Sequence, residues 1–593
     1  MTRAGRREKA PRMADADPRT TLVPRFEAAL RAAFGDELAK TDPVLRRSDR
    51  ADYQADVAMS LAKKVGKPPR DVAKAIMDHL DLKDIADKVE VAGPGFINVT
   101  LSADFLGRAA TEVARDPRAG VVPSAAPETV VVDYSAPNVA KEMHVGHVRS
   151  TVIGDSLARV LETLGHRVLR QNHVGDWGTP FGMLIEHLLD LGEEAALATS
   201  ITDLDAFYKQ AREKFDGDPT FAERSRQRVV LLQGGDEQTL TLWKRFTDAS
   251  KRYFLGVYEK LGVKLKEEHV RGESFYNPQL AGIVTELEAK GLTEVSDGAV
   301  CVFPEGFTNK EGARLPLIVR KQDGGYGYAA TDLAAIRSRT QDLHATRLLY
   351  VVGSPQQQHF AMVFAVAKAA GWLKEPARAE HVAFGSILGP DKKMFKTRAG
   401  GTVKLVELLD EAVQRAATAV AEKNPELDEA TRADVARKIG VGALKYADLS
   451  SDRIKDYIFD WDRMLAFEGN TAAYLQYVHA RVRSIFRRAD AADVEASASV
   501  DLVLREPAER ALALELLGLG AAVASVGDTL QPHRLCTYLF GVATRFNTFF
   551  DQCSVLKAED VATRRSRLLL SSLTARVLAA GLDLLGIEAP ERM

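Results

Sequence analysis

Thr129-Val-Val-Val-Asp-Tyr-Ser-Ala-Pro-Asn-Val-Ala-Lys-Glu-Met-His-Val-Gly-His147 runs from a short, apolar, β-branched segment straight into the start of an amphipathic helix. Consecutive valines suit a strand covered on both faces. Val148, Val152, Ile153, Leu157, Val160, Leu161 and Leu164 then recur at helical spacing, and Gly165 supplies the stop. At such a junction the unpaired backbone N–H groups and the positive end of the helix dipole favour an anion. Gly146 removes a side chain where a nucleotide must come close. His144 and His147 are placed to reach phosphate oxygens or lie against a base, although a lone His-x-Gly-His also reads as a cap or packing device of the helix.

A second signal lies some 250 residues on. His381-Val-Ala-Phe-Gly-Ser-Ile-Leu388 reads as a strand, followed by the loop Gly389-Pro-Asp-Lys-Lys-Met-Phe-Lys-Thr-Arg-Ala-Gly-Gly401 with Lys392, Lys393, Lys396 and Arg398. Thr402 then precedes Val403, Leu405, Leu408, Leu409 and Val413 at helical spacing, which predicts a capped helix. A basic loop between strand and helix can close over a polyphosphate. By itself the charge run reads equally as a solvated surface.

Together, His144-Val-Gly-His147 and Lys393-Met-Phe-Lys396 resemble the HIGH and KMSK signatures of class I aminoacyl-tRNA synthetases. Ser135-Ala-Pro-Asn-Val-Ala-Lys141, His173-Val-Gly-Asp-Trp-Gly-Thr-Pro-Phe-Gly182, Phe395-Lys-Thr-Arg-Ala-Gly-Gly401 and the terminal Pro590-Glu-Arg-Met593 narrow the resemblance to the arginyl enzymes, over nearly the whole chain. Phe395 and Thr397 depart from the serines usual in the loop.

The chain of 593 residues is too long for one core. A multidomain α/β protein is expected: a tail at 1–20; a small α+β N-terminal domain at 21–118; a catalytic domain at 119–455, a Rossmann-type doubly wound parallel sheet with a helical insertion at about 186–265; and an all-α helical bundle at 456–593. The N-terminal unit shows helical patterns at Leu22–Phe34 and Val72–Leu80 and a closing strand Phe96–Thr100. Cys301, Cys536 and Cys553 have no Cys-x-x-Cys spacing, which argues against a disulfide framework and against a cysteine-based zinc site. A reducing cytoplasm and a monomer are expected. No segment reads as a membrane span. The formal charge of −2 leaves RNA contact to local basic patches, of which Arg46–Arg70, Arg481–Arg488 and Val561–Arg567 are candidates.

The resemblance implies ATP, taken as its magnesium complex, L-arginine and tRNA(Arg) as substrates. It assigns His144, Gly146, His147, Lys393, Lys396, Gly385 and Ile387 to the nucleotide, with Lys141 sharing the loop's duty, and Asp133, Ser135, Asn138, His144, Tyr328, Asp332 and Gln356 to arginine. Tyr328 and Asp332 lie four apart and share a face if helical. Asp332 could then accept a forked pair of hydrogen bonds from a guanidinium, with Asp133 as a second acid and Glu273 a weaker candidate. A polar pocket of this kind rejects wrong substrates without an editing domain, and no such domain is evident. On the RNA side, the resemblance assigns Phe96 and Asn98 to the D-loop and Tyr474, Tyr477 and Arg481 to the anticodon loop. Phe96 filling its own small core, and a structural tyrosine stripe, stay open as alternatives. A small-molecule nucleotidyltransferase would leave the helical tail unexplained. A catalytically silent tRNA-binding relative would have lost the histidines and lysines, which are present.

Overall fold

The computed structural model describes residues 16–48, 50–139, 141–192, 204–395, 403–558 and 560–593. The first helix, Pro18–Phe34, is capped by the Asp17 carboxylate, which accepts the Arg19 amide at 2.9 Å. It therefore begins inside the expected tail, because Leu22 and Phe26 are completely buried and anchor it. Beside it lies an antiparallel sheet in the order Leu45–Arg47, Tyr53–Ala55, Phe96–Leu101, Ala86–Ala92.

The catalytic sheet is parallel throughout, in the order Arg378–His381, Arg347–Tyr350, Thr129–Asp133, Arg167–Gln171. Chain order reverses between Thr129–Asp133 and Arg347–Tyr350, and in open α/β sheets ligands bind at that reversal, beyond the carboxyl ends of the strands. Tyr350 pairs with Asp133 at that point.

Two elements differ from the sequence reading. His381–Leu388 is not one strand: Arg378–His381 ends in the main sheet, and Ile387–Leu388 pairs in parallel with Tyr457–Ile458. The partner changes at Gly385, where an added Cβ would lie 2.6 Å from Asp456 Oδ1 and 2.7 Å from the Lys455 backbone. Only a glycine lets those backbones meet. The middle of the chain is also not purely doubly wound, since Thr293–Ser296, Ala299–Val302 and Leu317–Arg320 form an antiparallel sheet. Its first turn holds Asp297 and Gly298 at φ 48° and 76°, the geometry of a tight hairpin.

The insertion is helical, with helices Thr179–Asp190, Leu204–Gly217, Pro219–Gly234 and Glu237–Leu261. After helices Glu273–Ala289, Tyr328–Gln341 and Gln357–Ala369, the helix that follows the lysine loop is Leu405–Lys423, whose cap position is Lys404 without a side-chain cap; Thr402 lies outside the described residues. Helix Glu429–Leu449 packs on it, and the strap 450–461 leads to the bundle of Ala472–Arg488, Pro507–Leu516, Leu519–Thr529, His533–Gln552 and Val561–Leu584. Contrary to the sequence reading, Pro507–Thr529 is long and apolar enough to cross a membrane, by length and composition. Here it is broken into two helices at 517–518, with Leu512, Leu516, Leu519 and Val523 packed in the core.

Candidate active site

Beyond Asp133 the chain turns through Ser135 and Ala136, at φ 75° and 44°. Left-handed backbone is costly for residues with a Cβ and persists where neighbours over-determine it. The Ser135 amide donates to Ser150 Oγ at 2.8 Å and the Ala136 amide to Asn172 Oδ1 at 2.9 Å. The Tyr258 hydroxyl joins Ser135 Oγ at 2.8 Å and accepts from Asn172 Nδ2 at 2.9 Å. Ser135, expected on the substrate, is thus buried scaffold. Asn138 stands exposed beyond the bend, bridged to Gly175.

The bend delivers the two histidines to the mouth of helix Gly146–Thr163. Their ring centroids are 4.0 Å apart. His147 Nδ1 accepts the His144 amide at 3.1 Å, and His144 Nδ1 accepts the Gly146 amide at 3.0 Å. Each ring nitrogen left over is Nε2, a donor in the neutral tautomer. Burial, then the facing His144 ring, pushes His147 down to about 3; burial, then the Lys141 ammonium, lowers His144. A Cβ on Gly146 would sit 2.8 Å from the His144 ring, so this glycine serves the histidine pair as well as any ligand. The Lys141 ammonium lies 4.3 Å from the centre of the Tyr208 ring of the insertion.

The second signature comes back to the same place. Residues that follow the lysine loop pair with the segment that precedes the helix: the Val145 amide donates to the Val403 carbonyl at 3.0 Å and the Leu405 amide to the Met143 carbonyl at 2.9 Å. Lys404 Nζ meets Glu142 at 2.7 Å. At its leading end the loop is a tight hairpin, with the Gly389 amide on the Lys393 carbonyl at 2.7 Å and Lys393 exposed. Lys396 lies outside the described residues. Gly385 and Ile387, expected on the nucleotide, serve strand pairing instead, and the Ile387 side chain is buried.

Asp133 is corrected as well. Its Oδ2 accepts from Arg339 Nη2 at 2.6 Å, and Arg339, fully buried, also donates to Gln171 at 2.7 Å. A carboxylate neutralised inside the core cannot also be the second acid for a substrate cation. Glu273, the weaker candidate, takes that place. It opens helix Glu273–Ala289, and burial, then Asp176 and Asp332, push its carboxyl up to about 8. Asp176, missed by the sequence reading, is itself raised by burial, and holds the same helix start through the Ser274 amide and hydroxyl at 2.9 and 2.7 Å. Asp332 lies one turn into helix Tyr328–Gln341, 2.6 Å from His359 Nε2. Tyr328, at the mouth, is 73% exposed, and burial, then the Glu273 and Tyr208 charges, raise its hydroxyl. Gln356 is exposed, closing a short turn after Arg347–Tyr350. Three carboxyls, Glu273, Asp176 and Asp332, thus gather near the sheet reversal, with the His359 ring against Asp332, and among the described residues no group of three or more His, Cys, Asp or Glu is arranged to hold a metal.

Residues 114–461 match the family model for the catalytic domain of class I (R) tRNA synthetases, 21–101 the arginyl tRNA synthetase N-terminal domain, and 475–593 the DALR anticodon binding domain. The chain belongs to the arginyl-tRNA synthetases. It is 55% identical to the arginine–tRNA ligase of Thermobifida fusca over 579 residues, 98% of this chain and 100% of the relative. It is 51% identical to that of Synechococcus elongatus, covering 98% and 100%. Among solved structures, the Plasmodium falciparum arginyl-tRNA synthetase superposes with a TM-score of 0.83 at 28% identity, covering 98% and 100%. That of Thermus thermophilus gives 0.78 at 25%, covering 96% and 99%. As a class I arginine–tRNA ligase the enzyme is ATP-dependent and charges tRNA(Arg) for translation.

The synthetase's expected RNA-facing residues separate into two groups. Asn98 is buried, its Oδ1 accepting from Gln54 Nε2 at 2.9 Å, so it is not presented to a base. Phe96, beside it, keeps part of its ring at the surface. In helix Ala472–Arg488 the Tyr474 hydroxyl accepts from Asn547 Nδ2 at 2.9 Å and its ring packs on Phe540. Arg481 donates to Asn547 Oδ1 at 3.2 Å and lies 4.3 Å over Phe550. Both residues thus pack against helix His533–Gln552 of the bundle itself. Tyr477 is 40% exposed and lines a cavity of about 560 Å³ with Phe467, Lys423 and Met593.

Proposed function

We propose that the carboxyl cup of Glu273 and Asp332, floored by Asp176 and covered by Tyr328, receives the arginine guanidinium, and that Asn138 and Gln356 take its α-amino and carboxylate groups. The observation that carries this is Glu273, a half-buried acid set beside Asp176 and Asp332 at the start of its helix and raised by burial, then by those two neighbouring acids. A planar, forked cation satisfies two carboxylates at once and restores the charge of Glu273. ATP, entering as its magnesium complex, lies across the Nε2 face of the neutral His144–His147 pair, with Lys141, Lys393 and Lys396 on the pyrophosphate side.

The arginine carboxylate oxygen attacks the α-phosphorus, the bond to the β-phosphate oxygen breaks, and pyrophosphate leaves with its charge met by the lysines. The work is positioning and charge neutralisation. The 2′-hydroxyl of the terminal tRNA adenosine then attacks the adenylate carbonyl carbon and AMP departs. Phe96 meets the D-loop, and Tyr477 with Met593 meets the anticodon loop through aromatic and apolar contact. The enzyme works as a cytoplasmic monomer, with domains divided at about residues 118 and 455. Aminoacylation screened over all twenty amino acids with bulk tRNA is expected to show arginine alone. Pyrophosphate exchange is expected with arginine only when tRNA(Arg) is added. Charging of another amino acid, or robust exchange without RNA, would overturn the corresponding step.

A further inference from the structure

The departure at position 395, a phenylalanine where the signature loop usually carries serine, has a physical counterpart. Phe395 closes the lysine hairpin, donating its amide to the Ile387 carbonyl at 3.1 Å. Its ring stacks on Phe459 with centroids 4.5 Å apart and planes 25° from parallel. Phe459 meets Trp461 edge-on at 4.9 Å, and Arg415 lies 5.1 Å over Trp461. The hairpin is therefore fastened to the strap 453–461, which runs on from helix Glu429–Leu449.

The strap is in turn fastened to the histidine helix. Arg149, two residues past His147 and almost completely buried, donates to the Lys455 carbonyl at 3.0 Å, the Arg453 carbonyl at 3.2 Å and Asp448 Oδ1 at 3.2 Å. The same strap carries the strand before the hairpin: the Gly385 amide donates to the Arg453 carbonyl at 2.9 Å, the Ser386 amide to Asp456 at 2.5 Å and the Phe459 amide to the Leu388 carbonyl at 2.8 Å. From His147 to Lys393 the chain of contacts is continuous. It runs through the Arg149 side chain to the strap, through backbone and Asp456 bonds from the strap to residues 385–388, and ends at the hairpin in the Phe395–Ile387 backbone bond with the aromatic stack beside it.

We propose that Phe395 and Phe459 are positioning residues for adenylate formation: their stack sets the lysine hairpin at a fixed distance from the histidine pair, so that Lys393 meets the departing pyrophosphate. This rests on the reading that the hairpin lysine acts on ATP. A serine cannot make this contact, since a hydroxyl has no flat apolar face to stack. The ring's stacking partner, Phe459, belongs to the strap and not to arginine's cup, so removal of the ring should be felt through ATP alone.

The test is pyrophosphate exchange with tRNA(Arg) present, on Phe395→Ala, Phe395→Leu, Phe395→Tyr, Phe459→Ala and the double Phe395→Ala/Phe459→Ala, with Lys393→Met as reference. Either single alanine is expected to raise the ATP KM about tenfold, the scale of a lost aromatic pair, with the arginine KM unchanged. The double variant should be no worse than either single, as for two residues acting as one unit. Tyr should restore the wild-type value, whereas Leu, which keeps the volume without the flat face, should not. An unchanged ATP KM in the alanine variants while Lys393→Met raises it would overturn the inference. So would an arginine KM that moves with the ATP KM, or a leucine as good as phenylalanine. A silent Lys393→Met would instead remove the reading beneath it.

Discussion

Two groups of acids sit at the carboxyl ends of the same sheet and have opposite fates. Asp133, at the end of the strand that leads into the signature motif, is closed off by the buried Arg339 at 2.6 Å. Glu273, on a helix that no signature marks, is left beside Asp176 and Asp332 and pushed up to about 8. The difference lies in the counter-charge, not in the acid. A carboxylate with an internal cation belongs to the fold; a carboxyl raised by burial and by neighbouring acids is held ready for a cation from outside.

Breaking the first group should have the larger effect. Arg339→Met leaves Asp133 buried without its partner and should cost ~3–5 kcal/mol of stability, measured by urea denaturation. An unchanged midpoint would mean that Asp133 is free for substrate after all. Next comes Glu273→Gln, which should weaken arginine binding by ~1.5–3 kcal/mol, the scale of a charge-assisted hydrogen bond, while the urea midpoint holds. Asp332→Asn should do the same by ~1–3 kcal/mol. Equal loss of stability and affinity would erase the distinction between the two groups.

pH sharpens the comparison. Glu273 keeps in the folded protein a proton that the unfolded chain releases near the ordinary 4.5, so its contribution to stability is full below 4.5 and is lost as pH rises to about 8. Arginine needs the ionised form. Calorimetric titration near pH 7 should therefore show proton release on arginine binding and affinity rising with pH toward 8, both absent in Glu273→Gln. His147 runs the other way: held near 3 against an ordinary 6.5, it contributes stability above 6.5 that is lost as pH falls toward 3. The smallest effect is expected far from the cup. Asn98→Ala should cost about 1 kcal/mol of stability through its Gln54 bond, whereas Phe96→Ala should leave stability nearly unchanged and raise the KM for tRNA.

Much of the fold could be read from local pattern. The valine run and the helical spacing after Gly146 are short-range signals that the packed protein respects. The strand expected at His381–Leu388 could not be resolved that way, because its second half pairs with residues 457–458, some 70 positions later. Likewise Tyr474 and Arg481 share a face with Tyr477 by spacing, yet Asn547 and Phe550 claim the first two from another helix. A face identifies neighbours along one helix and says nothing about which other helix covers it.

By itself the sequence determined the class of chemistry: histidines at a strand-to-helix junction, a basic hairpin in the right order, and Tyr328 with Asp332 one turn apart. These are properties of local spacing, and local spacing survives any packing. Only the tertiary structure decided which acid meets the substrate. Charges act through space, and Arg339, Asp176 and Glu273 reach Asp133 and Asp332 from segments that the linear order keeps far apart.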